Sequence, residues 1–312
     1  MISLRYHVVS LAACFLALAV GVVLGSTKIS ERVLSGLSAD RDELGRQVSE
    51  LQAEGAAREA QLAETSTFVQ AVGPRVVRDT LRDRSVVVVT TADADPADRD
   101  ALTTLLSKAG ATVTGELQLT TAFSDPARAD QLSELTARLL PAGRQLPMTT
   151  DAGTLTGGLL GSLLLVDPRT GQPQASPVES AAAFAGLGDG GFIRLGRQIR
   201  PAQLAVVLTG SATGAEGSGD RTGTVARFAT QLDRSGAGAV LAGRPGSAAA
   251  TGPIGVVRAD TAATSMLSTV DNVSTAAGRV ATVLALAEQA QGRAGRYGTA
   301  DTAQAPVPAI QG

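Results

Sequence analysis

The residue types that do most of protein chemistry are scarce in this chain. It holds a single histidine, a single cysteine and three methionines, and it has no tryptophan. Nucleophilic catalysis of the Ser-His-Asp or Cys-His kind needs an imidazole beside the nucleophile. The candidates, His7 and Cys14, both fall in or beside a long apolar run. That context excludes those enzyme classes, and the chain is expected not to be an enzyme. His7 and Cys14 share one helical face two turns apart, roughly 10 Å along the axis, too far for one chain to chelate a single ion. A site shared by two copies of the chain is the remaining geometry. Met148 and Met266 read as core filling rather than as a Cu(I) site. One cysteine allows no disulfide framework, and no cofactor is expected.

Two further groups merit weighing. Asp93, Asp95, Asp98 and Asp100 follow a β-branched run, where carboxylates either hold a hard cation or cap the helix that follows and favour its positive end. Their spacing is not that of an EF-hand, and capping is the reading adopted. The glycine-rich segment 210–220, GSATGAEGSGD, sits between a strand pattern and a helix pattern, the place where phosphate-binding loops occur. It matches neither G-x-x-x-x-G-K-[ST] nor G-x-G-x-x-G, so it reads as a flexible connection, with a small anionic ligand as the alternative. Net charge is -2 and of 27 basic residues only Lys28 and Lys108 are lysines. The basic residues are spread thinly, which argues against nucleic acid as a partner.

The elements that must position these residues begin with a membrane segment. Residues 8–25, VVSLAACFLALAVGVVLG, carry no charge and as a helix span roughly 27 Å of hydrocarbon. The run is longer than the ~7 to 15 residues of a secretory h-region and no A-x-A site follows, although Val23 and Gly25 make a poor one. It reads as an uncleaved single-pass anchor. Ala13, Ala17, Gly21 and Gly25 form a stripe of small side chains on which two helices can approach closely in lipid, or simply reflect the abundance of alanine and glycine. Next, Leu34, Val48, Leu62 and Val69 fall on heptad a positions and Leu37, Leu44, Leu51 and Val72 on d positions. Arg41, Gly55, Arg58 and Thr65 interrupt the seam. This predicts a loosely zipped parallel two-stranded coiled coil, roughly 70 Å long over residues 27–72; the alternative is one amphipathic helix folded back on the following domain. Arg5 precedes the anchor, and Lys28, Arg32 and Arg41 follow it, so charge counting does not set the orientation. Large following domains are translocated largely regardless of charge, and the C-terminal bulk is placed outside the cytoplasm.

Gly73-Pro74 is expected to end the stalk. Beyond it, strand patterns at 85–91, 111–119, 191–195, 203–209, 237–242 and 254–258 alternate with helix patterns at 96–110, 126–141, 153–166, 178–187, around Val225, Phe228 and Leu232, and at 273–291. The alternation predicts an α/β class, a largely parallel sheet with flanking helices, preceded by the transmembrane helix and the coiled-coil stalk. The divisions are 1–26 anchor, 27–73 stalk, 74–298 extracytoplasmic domain and 299–312 a polar, proline-bearing disordered tail. A transmembrane barrel is not written here, because its strands would alternate apolar and polar over about ten residues each.

The opening MISLRYHVVSLAACFLALAVGVVLGS, the heptads after it, and the segments VVRDTLRDRSVVVV, LLPAGRQL, VARFATQL and STVDNVSTAAGRVATVLALAEQ together resemble the actinobacterial MctB family over nearly the whole chain. The resemblance implies a copper transporter or copper-transport outer-membrane protein, with the copper ion as partner, in copper export or homeostasis. Related chains of this architecture, known as SteB, imply the alternative of a dimeric scaffold in the cell envelope for a cell-wall hydrolase or divisome partner. The family implies copper; the residues themselves name no copper ligand. Asp271, Asn272 and Arg279 in the most distinctive segment read as a polar turn before a buried helix.

Overall fold

The computed structural model describes residues 4–196, 199–211 and 218–309; the side chains of 4–5, 26–40, 42, 218 and 219 lie outside the description. The chain divides into two compact units, Met1–Thr65 and Ser66–Gly312. One helix, α1, runs Leu4–Val76. It continues through Pro74, past the expected stop. The ring of a proline clashes with the Cβ of the preceding residue when that residue is helical, and here the preceding residue is a glycine. The helical Val77 N–H to Gly73 carbonyl bond follows at 3.0 Å.

The second unit is built on a seven-stranded sheet: β1 Ser85–Thr90, β2 Thr112–Leu119, β3 Ile193–Leu195, β4 Leu204–Thr209, β5 Ala239–Gly243, β6 Ser268–Val270 and β7 Arg296–Tyr297. Its order is β3-β2-β1-β4-β5-β6-β7. All neighbours pair parallel except β2 with β3. The helices are α2 Pro96–Lys108, α3 Ala129–Arg138, α4 Ala152–Leu164, α5 Pro177–Asp189, α6 Ser218–Arg234, α7 Pro253–Ala259, α8 Thr261–Thr264 and α9 Ala276–Gln289. Burial on both faces explains the uniform apolar strands. In β1, Val87 and Val89 enter one core with Phe123, Leu159, Leu163 and Phe228, while Val86 and Val88 enter the other with Leu102, Leu106, Val283 and Leu286. The second core also receives the end of α1, where Val69 and Val76 pack against it, and the turns that follow, where Val77 and Leu81 are fully buried. A Cβ on Gly73 would stand 2.8 Å from Val280 of α9.

Two sequence expectations are corrected, and one strand adds to those expected. Residues 254–258 form the helix α7, not a strand: Pro253 occupies its first turn, and the Ile254 and Gly255 N–H groups both donate to the Ser247 carbonyl. The short segment Ser268–Val270, unassigned in the sequence, is the strand β6, with the polar Ser268 and Thr269 fully buried. The tail is held through Ala309 rather than disordered. Tyr297 bridges Ala305, Gly298 N–H donates to the Ala305 carbonyl at 3.1 Å, and Pro308 is buried.

Helices α4 and α6 meet through glycine. A Cβ at Gly153, Gly157 or Gly161 would stand 2.4, 2.8 and 2.3 Å from atoms of Thr224, of Gln231 and Phe228, and of Ser235, respectively. This stripe of small residues at every fourth position serves contact inside the folded head. Gly157→Leu is expected to force the pair apart and lower stability by about 1–3 kcal/mol, read as a shift of the urea midpoint with the slope unchanged.

Candidate functional site

The apolar part of α1, Tyr6–Gly25, has a mean hydropathy of 2.6 and is long and apolar enough to cross a membrane. Ala13, Ala17, Gly21 and Gly25 are exposed on it, and nothing lies within 4 Å of a Cβ built on Gly21 or Gly25. His7 and Cys14 are exposed on the same helix. Of the heptad residues, Leu44, Val48, Leu51 and Leu62 are 60%, 52%, 67% and 69% exposed. Leu34 and Leu37 lie outside the described side chains, as do Lys28 and Arg32. Val69 and Val72 are half-buried, and Val69 packs on the core of its own head. The seam expected to run through that position therefore gives way there to contact within the chain.

The soft donors do not assemble. Met148 is fully exposed, not core filling, and Met266 is half-buried. Among the described residues no group of three His, Cys, Asp or Glu side chains is placed to hold a metal ion. The aspartates after β1 serve the helix and its neighbours. Asp95 caps α2, accepting from the Ala97 N–H at 2.8 Å. Asp98 is buried and accepts from Arg244 Nε at 2.6 Å, with Arg279 at 3.7 Å on its other oxygen. Arg244 also bonds Asp95, and Asp100 pairs with Arg99 at 2.7 Å. Hydrogen bonding to Asp98 raises the Arg244 guanidinium above its ordinary value, while burial lowers that of Arg279. Asp93 accepts from the Thr91 hydroxyl.

The distinctive STVDNVSTAAGR segment proves to be a structural latch. Its Asp271 accepts from Arg258 Nη1 at 2.7 Å, both side chains being 2% exposed. Its other oxygen accepts from the Thr299 N–H at 2.7 Å, which holds the tail. Arg258 donates further to Thr269 Oγ1 at 3.0 Å and to the Tyr297 carbonyl at 2.8 Å. Thr275 caps α9. A Cβ on Gly278 would fall 2.0 Å from the Asn272 carbonyl. Arg279 closes the turn on the Val273 and Ser274 carbonyls.

A concave site lies where the sheet reverses its order. The order of the sheet reverses between β1 and β4, whose crossovers leave to opposite sides: α2 packs in one core, α6 in the other. Open α/β sheets bind ligands in the crevice beyond the strand ends at such a reversal. A crevice of about 250 Å³ opens here. Thr91 and Asp93 follow β1, Thr120 and Thr121 follow β2, Thr209 and Ser211 stand at the end of β4, and Arg221 and Thr222 come from the first turns of α6. A Cβ on Gly210 would meet Asp93 at 2.5 Å, so the close approach of these strand ends requires glycine. Residues 212–217 of the glycine-rich segment lie outside the described residues. Sequence reading examined that segment and passed over the hydroxyls. Their signal was present: the runs SVVVVTT, ELQLTT and LAVVLT each end in threonine.

Elsewhere in the head, burial pushes the Asp233 carboxyl up to about 6, while the Ala239 N–H it accepts and the charge of Arg234 oppose the shift. A carboxyl raised in the folded state keeps its proton after the unfolded chain has lost it. Stability present below about pH 4 is therefore lost as pH rises toward 6, by on the order of 3 kcal/mol. Asp233→Asn is expected to flatten the pH dependence of the urea midpoint across that window.

Fold and site together define a doubly wound α/β head joined to a helix that begins with one apolar, membrane-length segment. The chain belongs to the MctB family: the family model described as "Copper transport outer membrane protein, MctB" matches residues 1–308. The copper transporter MctB of Mycobacterium tuberculosis is 38% identical over 304 residues, and that of Mycobacterium leprae is 38% identical over 306 residues, each alignment covering 96% of both chains.

Proposed function

We propose that this protein is a single-pass envelope protein acting in copper export or copper homeostasis, with the head on the outer side of its membrane and no enzymatic step of its own. The observation that carries the reading is the match of the family model from residue 1 to residue 308, apolar helix included. The mostly parallel, open sheet covered by helices on both faces favours anchoring by that helix rather than by a barrel wall. Copper is cargo in this reading. The soft donors present, Cys14, His7, Met148 and Met266, are scattered and do not fit a copper site within one chain. The head thus acts on copper through assembly or through a partner. The exposed row Leu44, Val48 and Leu51 supports a parallel homodimer, since two chains in one membrane already share direction and a raised effective concentration. Deleting the protein is expected to raise cell copper and copper sensitivity; unchanged cell copper overturns the proposal. Replacing Leu44, Val48 and Leu51 together by serine is expected to halve the mass seen by light scattering in detergent, and an unchanged dimer mass removes the coiled coil.

A second reading, a tethered scaffold for a cell-wall hydrolase or divisome partner, is favoured by an apolar groove of about 620 Å³ lined by Pro177, Ala181, Phe184, Leu195 and Ile199. It predicts unseparated, chained cells on deletion, with copper content unaltered.

A further inference from the structure

We propose that the crevice at the carboxyl ends of β1 and β4 is a binding site for a small organic anion that also carries hydroxyl groups, such as a sugar acid or a polyol phosphate. The inference goes beyond the copper reading and does not depend on it. Position alone is not its basis. Thr209 is 4% exposed and lines the crevice, and its hydroxyl makes no hydrogen bond among the described residues, so both its donor and its acceptor capacity are open to a molecule in the crevice. Thr121, Ser124, Ser211 and Arg221 line the same space and likewise make no side-chain hydrogen bond or ion pair among the described residues. Arg244, Arg258 and Arg279 are each tied to an aspartate, whereas Arg221, on the wall of the crevice, has no acidic partner among the described residues and is free to pair with an anion.

The two walls differ in chemistry, and this sets the ligand class. On one side Arg221 stands in the first turn of the seventeen-residue helix α6, whose N-terminal amides and dipole favour negative charge. On the other side Asp93, beside Thr91, repels an anion and accepts hydroxyl protons. A bare inorganic anion satisfies only the first wall. A neutral sugar satisfies only the second. A molecule with a carboxylate or phosphate at one end and hydroxyls at the other satisfies both, and a crevice of about 250 Å³ limits it to a small one.

The test is calorimetric titration of the full-length protein in detergent with glucuronate and with glycerol phosphate, using glucose and inorganic phosphate as comparison probes. Copper plays no part in the readout. At least one hydroxylated anion is expected to bind, with glucose and inorganic phosphate weaker by about tenfold or more. Arg221→Gln, at an exposed position, is expected to weaken binding roughly tenfold through loss of a charge-assisted hydrogen bond. Thr209→Val, which keeps the shape, is expected to weaken it roughly fivefold, with both variants retaining the wild-type urea midpoint to within the change of one exposed or isosteric side chain. No binding of either hydroxylated anion at millimolar concentration overturns the proposal. So does equal binding of glucose or of inorganic phosphate, or an affinity that neither substitution alters.

Discussion

Arg258→Met is expected to cost the head about 3–5 kcal/mol, because removing one partner of a buried ion pair leaves the other charge uncompensated. The side chains of Arg258 and Asp271 are both 2% exposed, so water does not replace the lost guanidinium. Burial already pulls the Arg258 guanidinium below its ordinary value, with Asp271 opposing that pull. The damage extends along the chain. Arg258 reaches the Tyr297 carbonyl at 2.8 Å and the Thr302 hydroxyl at 3.0 Å, and Asp271 holds the Thr299 N–H. The tail should therefore loosen with the pair. Urea unfolding measures the first effect, and limited proteolysis within 299–309 measures the second. Arg258→Met combined with Asp271→Leu is expected to recover most of the stability, since an apolar replacement of both partners removes the stranded charge. A single variant as stable as the parent chain would show that the pair is not the fastening described.

Phe228→Ala is expected to cost a comparable 3–5 kcal/mol, on the order found for aromatic truncations in closed cores. Phe228 is fully buried on α6 and meets the ring of Phe123 edge-on, centroids 5.2 Å apart at 80°. The surroundings have little freedom to collapse into the hole, because α4 and α6 already touch backbone to backbone through Gly153 and Gly157. Phe123 also lines the crevice, so loosening it should weaken any crevice ligand as well as the fold. The urea midpoint should fall with its slope unchanged. A loss below about 1 kcal/mol would mean the site relaxes more than this packing allows.

These two positions differ in how far the sequence announced them. Phe228, with Val225 and Leu232, stands on an apolar helical face that is visible in one dimension. The buried valines of β1 and β4 were equally visible, since a strand covered on both faces needs no alternation. The run 254–258 misled for a physical reason: β-branched residues favour strands, but the Ser247 carbonyl receives two N–H groups at the start of α7 and fixes a helix there. Strand β6 was hidden because its Ser268 and Thr269 are polar. Their hydroxyls are satisfied by Gln289 and Arg258, partners distant in sequence. The crevice was hidden in the same way, as three threonine-ended runs with no sign that two of them adjoin at the reversal of the sheet.

Composition and periodicity, which are local, therefore determined the apolar membrane-length helix, the heptads after it, the α/β alternation, and the shortage of metal and nucleophile chemistry. Tertiary structure alone decided which strands neighbour one another, that Val69 turns to its own head, that the polar tail is latched by Asp271, and that scattered hydroxyls and Arg221 converge. Each of these depends on pairing between residues far apart in the chain, where the free energy comes from burial and hydrogen bonding and leaves no period in the sequence.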